Sequence, residues 1–185
     1  MANSTDKPFV IENTIFRDDR GYFQELYRFN RQDNKFKETR FVQDNVSLSK
    51  IKGTVRGLHM QCLDSSQTKI VSCIRGKIFD VAIDARPSSK NYGRHYTIEL
   101  CAELGNQFYI PAGFLHGFQT LTDDCMVFYK CSQEYNPFSE VTVKWNDQDL
   151  SVPWPFPDSN VFSEKDSAGI AFKKLAAVLD EKSKM

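Results

Sequence analysis

From Phe9 to Trp145 the chain consists of short runs of alternating apolar and polar residues, closed at regular spacing by glycine, proline, asparagine and aspartate. Side chains on a strand point to opposite faces with period two, so runs of this kind predict half-buried strands. They cover residues 9–16, 22–29, 41–45, 55–61, 69–74, 77–84, 95–100, 107–110, 118–121, 126–132 and 141–145. Residues 17–21, 47–53, 86–93, 111–117 and 122–124 carry the breakers of turns and loops. The polar stretch 30–38 leaves room for a short helical turn. About ten short strands with no helical pattern between them predict an all-β fold, a sandwich or jelly-roll barrel. Helical periodicity enters only near the end, where Ile170, Ala171, Leu175, Val178 and Leu179 form one stripe between 166 and 180. The short helical segment is placed within 160–185, and Pro153-Trp-Pro-Phe-Pro157 reads as a rigid strap across the barrel.

Composition narrows what such a fold can do. A chain of 185 residues predicts one domain, 1–185, with a full core. Its 24 basic and 24 acidic residues balance, so no basic face calls for nucleic acid or an anionic membrane, and anion binding must come from a few placed side chains. The five cysteines are odd in number and form no Cys-x-x-Cys pair, which argues against a disulfide framework or a zinc site. Reduced cysteines fit the cytosol. No apolar signal region opens the chain, and no run reaches the roughly 18 residues a membrane span needs. The expectation is a soluble, cytoplasmic protein.

Candidate chemistry gathers around Val55–Gln61, which holds Arg56-Gly-Leu-His59, and the neighbouring run headed by Lys69. By alternation Gly57, His59 and Gln61 share one face, opposite Leu58 and Met60, which suits a polar-lined cavity. His59 is a structural histidine or an acid–base group. Lys69 is a snorkelling strand-end lysine or a buried cation held for use. Tyr129 is a core tyrosine or a pocket residue. Asp166 follows Ser163 at a helix start, where it completes a capping box or pairs with the helix dipole, unless it is turned to chemistry. Asp80 lies on the polar face of its strand and can pair with Lys69 or with a histidine. Glu25 shares a face with Phe23 and Tyr27, as a solvated rim residue or a ligand contact. Pro111-Ala-Gly-Phe-Leu-His116 is similar to the second motif of cupin barrels, whose histidine can ligate metal. The first cupin motif needs His-x-His and a glutamate, and here only His59 with Gln61 stands there, too few ligands for a catalytic metal. A metal-free cupin is expected, with no cofactor.

Taken together the chain resembles the dTDP-4-dehydrorhamnose 3,5-epimerase family, from about Phe16 to Asp166. The resemblance rests on Asp19-Arg-Gly-Tyr-Phe23 with Glu25, Phe41-Val-Gln-Asp-Asn45, Arg56-Gly-Leu-His59, Gln67-Thr-Lys69, 76–84, 110–117, Tyr129-Lys-Cys131, Glu134-Tyr-Asn-Pro137, 145–150 and Ser163-Glu-Lys-Asp166, in the family's order and spacing. Val46, Met60 and Gln24 depart from its pattern. The resemblance implies a cupin-type jelly-roll enzyme, an isomerase of dTDP-rhamnose biosynthesis. It would invert C3 and C5 of a dTDP-linked 4-keto-6-deoxyhexose through an enolate. His59 becomes the general base, Asp166 its partner, Lys69 the cation at the keto oxygen and Tyr129 the proton donor from the opposite face. His116 and Asp80 support the pocket. Arg56, with Lys165, takes the diphosphate, and Gln43, Asn45 and Tyr135 complete the nucleotide-sugar contacts. Arg20, Phe23 and Glu25 reach the neighbouring subunit's site, so that residues 9–29 are exchanged in a homodimer and Glu25 leaves the rim. Two other readings stay open: a mono-epimerase acting at C3 or C5 alone on a related nucleotide sugar, and a cupin that binds sugar nucleotide without catalysis.

Overall fold

The computed structural model describes residues 6–29 and 39–184. In chain order the strands are β1 (Phe9–Ile11), β2 (Ile15–Asp18), β3 (Gly21–Gln24), β4 (Gln43–Ser49), β5 (Val55–Gln61), β6 (Lys69–Arg75), β7 (Lys77–Asp84), β8 (His95–Cys101), β9 (Gln107–Ile110), β10 (Phe114–Thr120), β11 (Cys125–Cys131) and β12 (Glu140–Thr142). Two helices follow, α1 (Glu164–Ser167) and α2 (Leu175–Ser183). One five-stranded sheet has the order β1-β9-β6-β11-β4 and the other β12-β5-β10-β7-β8, every pair antiparallel. The two sheets close on each other as the expected jelly-roll barrel.

Three apolar layers hold it. Inside the barrel Val71, Cys73 and Val127 of one sheet pack with Ile78, Leu100, Phe114 and Phe118 of the other. On the far side of the second sheet, Leu58, Val81, Ile83 and Leu115 are covered by the C-terminal third of the chain, through Trp145, Trp154, Phe172 and Leu175. Outside the first sheet, Ile70 and Tyr109 are covered by Phe9, Ile11, Tyr27 and Phe41. The five cysteines are free and buried. No helix among the described residues is long and apolar enough to cross a membrane.

The departures from the expected elements have local causes. The run 9–16 is two strands, because Asn13 turns aside to donate to the Gln107 side chain at 2.8 Å. The strand expected over 22–29 stops at Gln24, whose side-chain amide donates to the Gly105 carbonyl at 2.6 Å. The loop expected from Ser47 starts later, since β4 continues to Ser49 in register with Cys125. The turn expected over 111–117 is shorter. β10 begins at Phe114 and all seven of its residues are buried. The strand expected over 141–145 ends at Thr142; Val143 exchanges backbone hydrogen bonds with Leu58 and makes an isolated bridge with Ile170. That bridge also breaks the helix expected over 166–180: the Ile170 N–H donates to the Thr142 carbonyl, and the Lys144 N–H to that of Ile170. The strap behaves as expected. Trp154 donates through Nε1 to the Trp145 carbonyl at 2.8 Å, and the Gln119 side chain bonds both the N–H and the carbonyl of Phe156. The helical turn expected within 30–38 lies outside the described residues.

Candidate active site

A cavity of about 340 Å³ opens between the two sheets. Arg56 and His59 of β5 and His116 and Phe118 of β10 line one wall; Ser47 of β4, Lys69 of β6 and Tyr129 of β11 line the other. Tyr135, Glu140, Ser163, Lys165 and Asp166 complete it. Arg56 and His59 are three apart, so strict alternation would separate them. A β-bulge removes the difficulty. His59 pairs with His116 and Arg56 with Phe118, so three steps on β5 match two on β10. Gly57, at φ +121°, makes the bend. A Cβ there would lie 2.6 Å from the Gly117 Cα, and one on Gly117 would lie 2.8 Å from the Arg56 carbonyl oxygen. Only two glycines let the strands cross this closely.

His59 Nε2 lies 2.7 Å from Asp166 Oδ1, with the carboxylate off the axis of the ring N–H. Asp166 is pinned from several sides. The Gly57 N–H donates to Oδ1 at 3.2 Å, and the Ser163 hydroxyl and N–H donate to Oδ2 at 2.6 and 3.3 Å. The capping box is therefore present, and the same carboxylate also holds the histidine. Burial alone would raise the Asp166 pKa, but the His59 ring beside it and the hydrogen bonds from Ser163 and the Gly57 N–H prevail and hold it at about 2. Asp80 is fully buried and pairs with a histidine: both its oxygens lie 3.1 Å from His116 Nε2.

On the opposite wall, burial lowers the Lys69 pKa, against the pull of Cys131, Asp80 and Glu140. Burial raises the Tyr129 pKa, so its phenol keeps its proton at neutral pH. At the mouth, Arg56 is fixed to β4, donating through Nε to the Ser49 hydroxyl and through Nη2 to the Leu48 carbonyl, each at 3.0 Å. Its remaining donors are left for a ligand. Gln43 Oε1 accepts from the Tyr135 N–H at 2.8 Å, and Gln43 Nε2 donates to Asn45 Oδ1 at 3.0 Å. Neither amide lines the cavity, but they fix the loop that carries Tyr135 there.

Arg20, Phe23 and Glu25 are not brought to this pocket within one chain. They lie on and beside the β2–β3 hairpin, where Arg20 pairs with Asp18 and Glu25 with Arg28, and Phe23 is 67% exposed. Two pocket residues carried no sequence signal. Glu140 accepts from the Tyr135 hydroxyl at 2.7 Å and from Lys165 Nζ at 2.5 Å. Ser47 belongs to no chemical motif, and only the β4–β11 register turns it inward. Among the described residues no group of three or more His, Cys, Asp or Glu side chains is arranged to hold a metal.

The arrangement puts a histidine–carboxylate pair and a protonated phenol on facing walls, with a lysine beside the phenol. This is what proton removal from one face of a ring and delivery to the other requires. The chain is similar to known proteins over most of its length. The sequence model of the dTDP-4-dehydrorhamnose 3,5-epimerase family matches residues 4–174. The dTDP-4-dehydrorhamnose 3,5-epimerase of Methanothermobacter thermautotrophicus is 42% identical over 168 residues, 90% of either chain. The crystal structure of a dTDP-6-deoxy-D-glucose-3,5-epimerase of Legionella pneumophila, in complex with dTDP-4-keto-L-rhamnose, superposes with a TM-score of 0.87 at 38% identity, covering 95% of this chain and 93% of that one. A 3'-monoepimerase of Streptomyces bikiniensis, in complex with dTDP-quinovose, superposes at 0.85 with 30% identity, covering 95% and 89%.

Proposed function

The chain belongs to the dTDP-4-dehydrorhamnose 3,5-epimerase family, and on that premise we propose the roles its side chains play in an epimerase acting on dTDP-4-dehydro-6-deoxyglucose. The chain is an isomerase that inverts C3 and C5 of this sugar to give dTDP-4-dehydrorhamnose. The observation that carries the assignment of roles is the His59–Asp166 pair set across one cavity from Lys69 and Tyr129.

A proton on carbon next to a ketone becomes acidic when the enolate oxygen is stabilised. His59 is the base, with Asp166 favouring the imidazolium that forms. Lys69 places positive charge at the 4-keto oxygen as negative charge develops there. Tyr129 delivers a proton from the other face, which inversion demands, since a single base that also reprotonated would restore the starting configuration. The same cycle serves C5 and C3, without metal or cofactor. Arg56 grips the diphosphate in the bidentate manner of guanidinium, with Lys165 beside it. His116, backed by Asp80, and Tyr135, held by Gln43 and Asn45, complete the substrate contacts. Arg20, Phe23 and Glu25 serve the site of a second subunit in a homodimer, and the enzyme works in the cytoplasm on a soluble sugar nucleotide.

Proton NMR of the substrate in D₂O tests the reading. Deuterium is expected at both C3 and C5, unchanged by EDTA. Label at one carbon alone would make the chain a mono-epimerase. His59→Ala should abolish exchange while dTDP still binds, and full exchange in that variant removes His59 as the base.

A further inference from the structure

Between the end of β11 and the turn at Pro137–Ser139 the chain joins no sheet. Four backbone groups of this stretch are met instead by glutamine side chains from other parts of the chain. Gln67 Nε2 donates to the Gln133 carbonyl at 2.9 Å, and Gln61 Nε2 to the Glu134 carbonyl at 3.1 Å. The Tyr135 N–H donates to Gln43 Oε1 at 2.8 Å, and the Asn136 N–H to Gln61 Oε1 at 2.6 Å. The Gln61 amide thus holds the residue on either side of Tyr135. It also donates to the Ser65 carbonyl at 3.0 Å, which ties the loop to the neighbouring turn.

An ordinary surface loop needs none of this. Gln133, Glu134 and Tyr135 are exposed, so water is able to satisfy their backbone groups. Gln61 and Gln67 are only 5% and 9% exposed. Burying two amides and fixing their long side chains costs desolvation and entropy. What the bonds yield is one conformation for the loop, and with it one place for Tyr135. That residue lines the cavity, and its hydroxyl donates to Glu140, which also takes Lys165. Tyr135 therefore stands at the end of the cavity assigned to the diphosphate. Gln61 itself does not line the cavity, although it follows His59 by two residues on β5.

We propose that Gln61 is a positioning residue for nucleotide binding that acts through Tyr135, ordering the 133–136 loop before the ligand arrives, with Gln67 as a second support. The inference rests on the reading of Tyr135 as a contact of the sugar nucleotide and adds what holds that contact in place. A loop already ordered in the free protein has no ordering left to do on binding. Loss of its support therefore shows as weaker affinity and not as slower chemistry.

Gln61→Met keeps the length of the side chain and removes all three bonds. Hydrogen exchange at the Asn136 amide should quicken in the free protein, with the β11 amides unchanged. Kd for dTDP should rise about 5- to 20-fold, while kcat stays within about twofold. Tyr135→Ala should weaken dTDP as well. Gln61→Met should add nothing measurable in that background, because a residue that acts through another is non-additive with it. Gln67→Met should repeat the effect at smaller size, and it carries the test if Gln61→Met does not fold. Unchanged dTDP affinity in the glutamine variants overturns the proposal, as do additive losses in the double variant or a fall in kcat at unchanged affinity. A lower melting temperature with wild-type Kd and wild-type Asn136 exchange makes the glutamine merely structural and overturns it too. Wild-type protein that binds dTDP but exchanges no ring proton overturns the epimerase reading alone, and the affinity cycle still decides the role of Gln61.

Discussion

Asp166 serves two masters with one carboxylate, and its titration exposes the arrangement. Its folded pKa, about 2, lies below the ordinary 3.8. A depressed carboxylate stabilises the fold above its unfolded pKa and loses that contribution as pH falls through the folded value. The window here is pH 4 down to 2, and the shift corresponds to ~2 kcal/mol. Denaturant unfolding of wild type and Asp166→Asn at pH 5 should differ by about that amount, with the gap closing near pH 2. A gap that does not change with pH would mean that the capping hydrogen bonds, not the charge pairing with His59, hold the helix start. The residues alone left this double use undecided, since a capping box and a histidine partner both fit Ser163-Glu-Lys-Asp166, and the fold satisfies both. Glu140 and Ser47 were illegible for another reason. Their inward direction depends on which strand pairs with which, a fact of register that local sequence does not carry.

At the scale of elements, the site depends on the crossing of β5 and β10. Alternation located nearly every strand, but it misplaced their ends wherever a distant partner decides them, as Asn13 and Gln24 do at the β8–β9 turn. It also read Gly117 as a turn residue, although that glycine sits in mid-strand, where only the approach of Gly57 requires it. Arg56 and His59 three apart did imply a bend near Gly57, and the bulge lies there. Gly57→Ala should therefore be costly twice, through a positive φ of +121° and through a Cβ 2.6 Å from the Gly117 Cα. A loss of about 2–4 kcal/mol is expected, lowering the melting temperature by roughly 5–10 °C. Because the bend also sets the parity of Arg56, affinity for dTDP should fall in the fraction that remains folded. A variant melting within about 2 °C of wild type would show that the strands can part to admit the methyl group without loss.

At the scale of the molecule, one feature has no explanation within a single chain. The β2–β3 hairpin pairs with no strand of the barrel among the described residues. An isolated two-stranded hairpin is marginal in water, yet this one exposes Phe16, Tyr22 and Phe23 at 61%, 52% and 67%. β4 forms an edge of its sheet and turns Val46 and Leu48 outward. An exposed apolar patch beside an open strand edge is the pattern of an interface. The homodimer proposed above would cover both and bring Arg20, Phe23 and Glu25 to the partner's cavity. This makes a strong demand on the active site, because each would be built from two chains. His59→Ala and Glu25→Ala, each inactive alone, should complement on mixing and subunit exchange. In a hybrid dimer one site has lost both groups and the other has neither change. Half of the dimers in an equal random mixture are hybrids, so about a quarter of wild-type activity should return. If both residues serve the same chain's pocket, every site in every dimer carries one defect and mixing restores nothing.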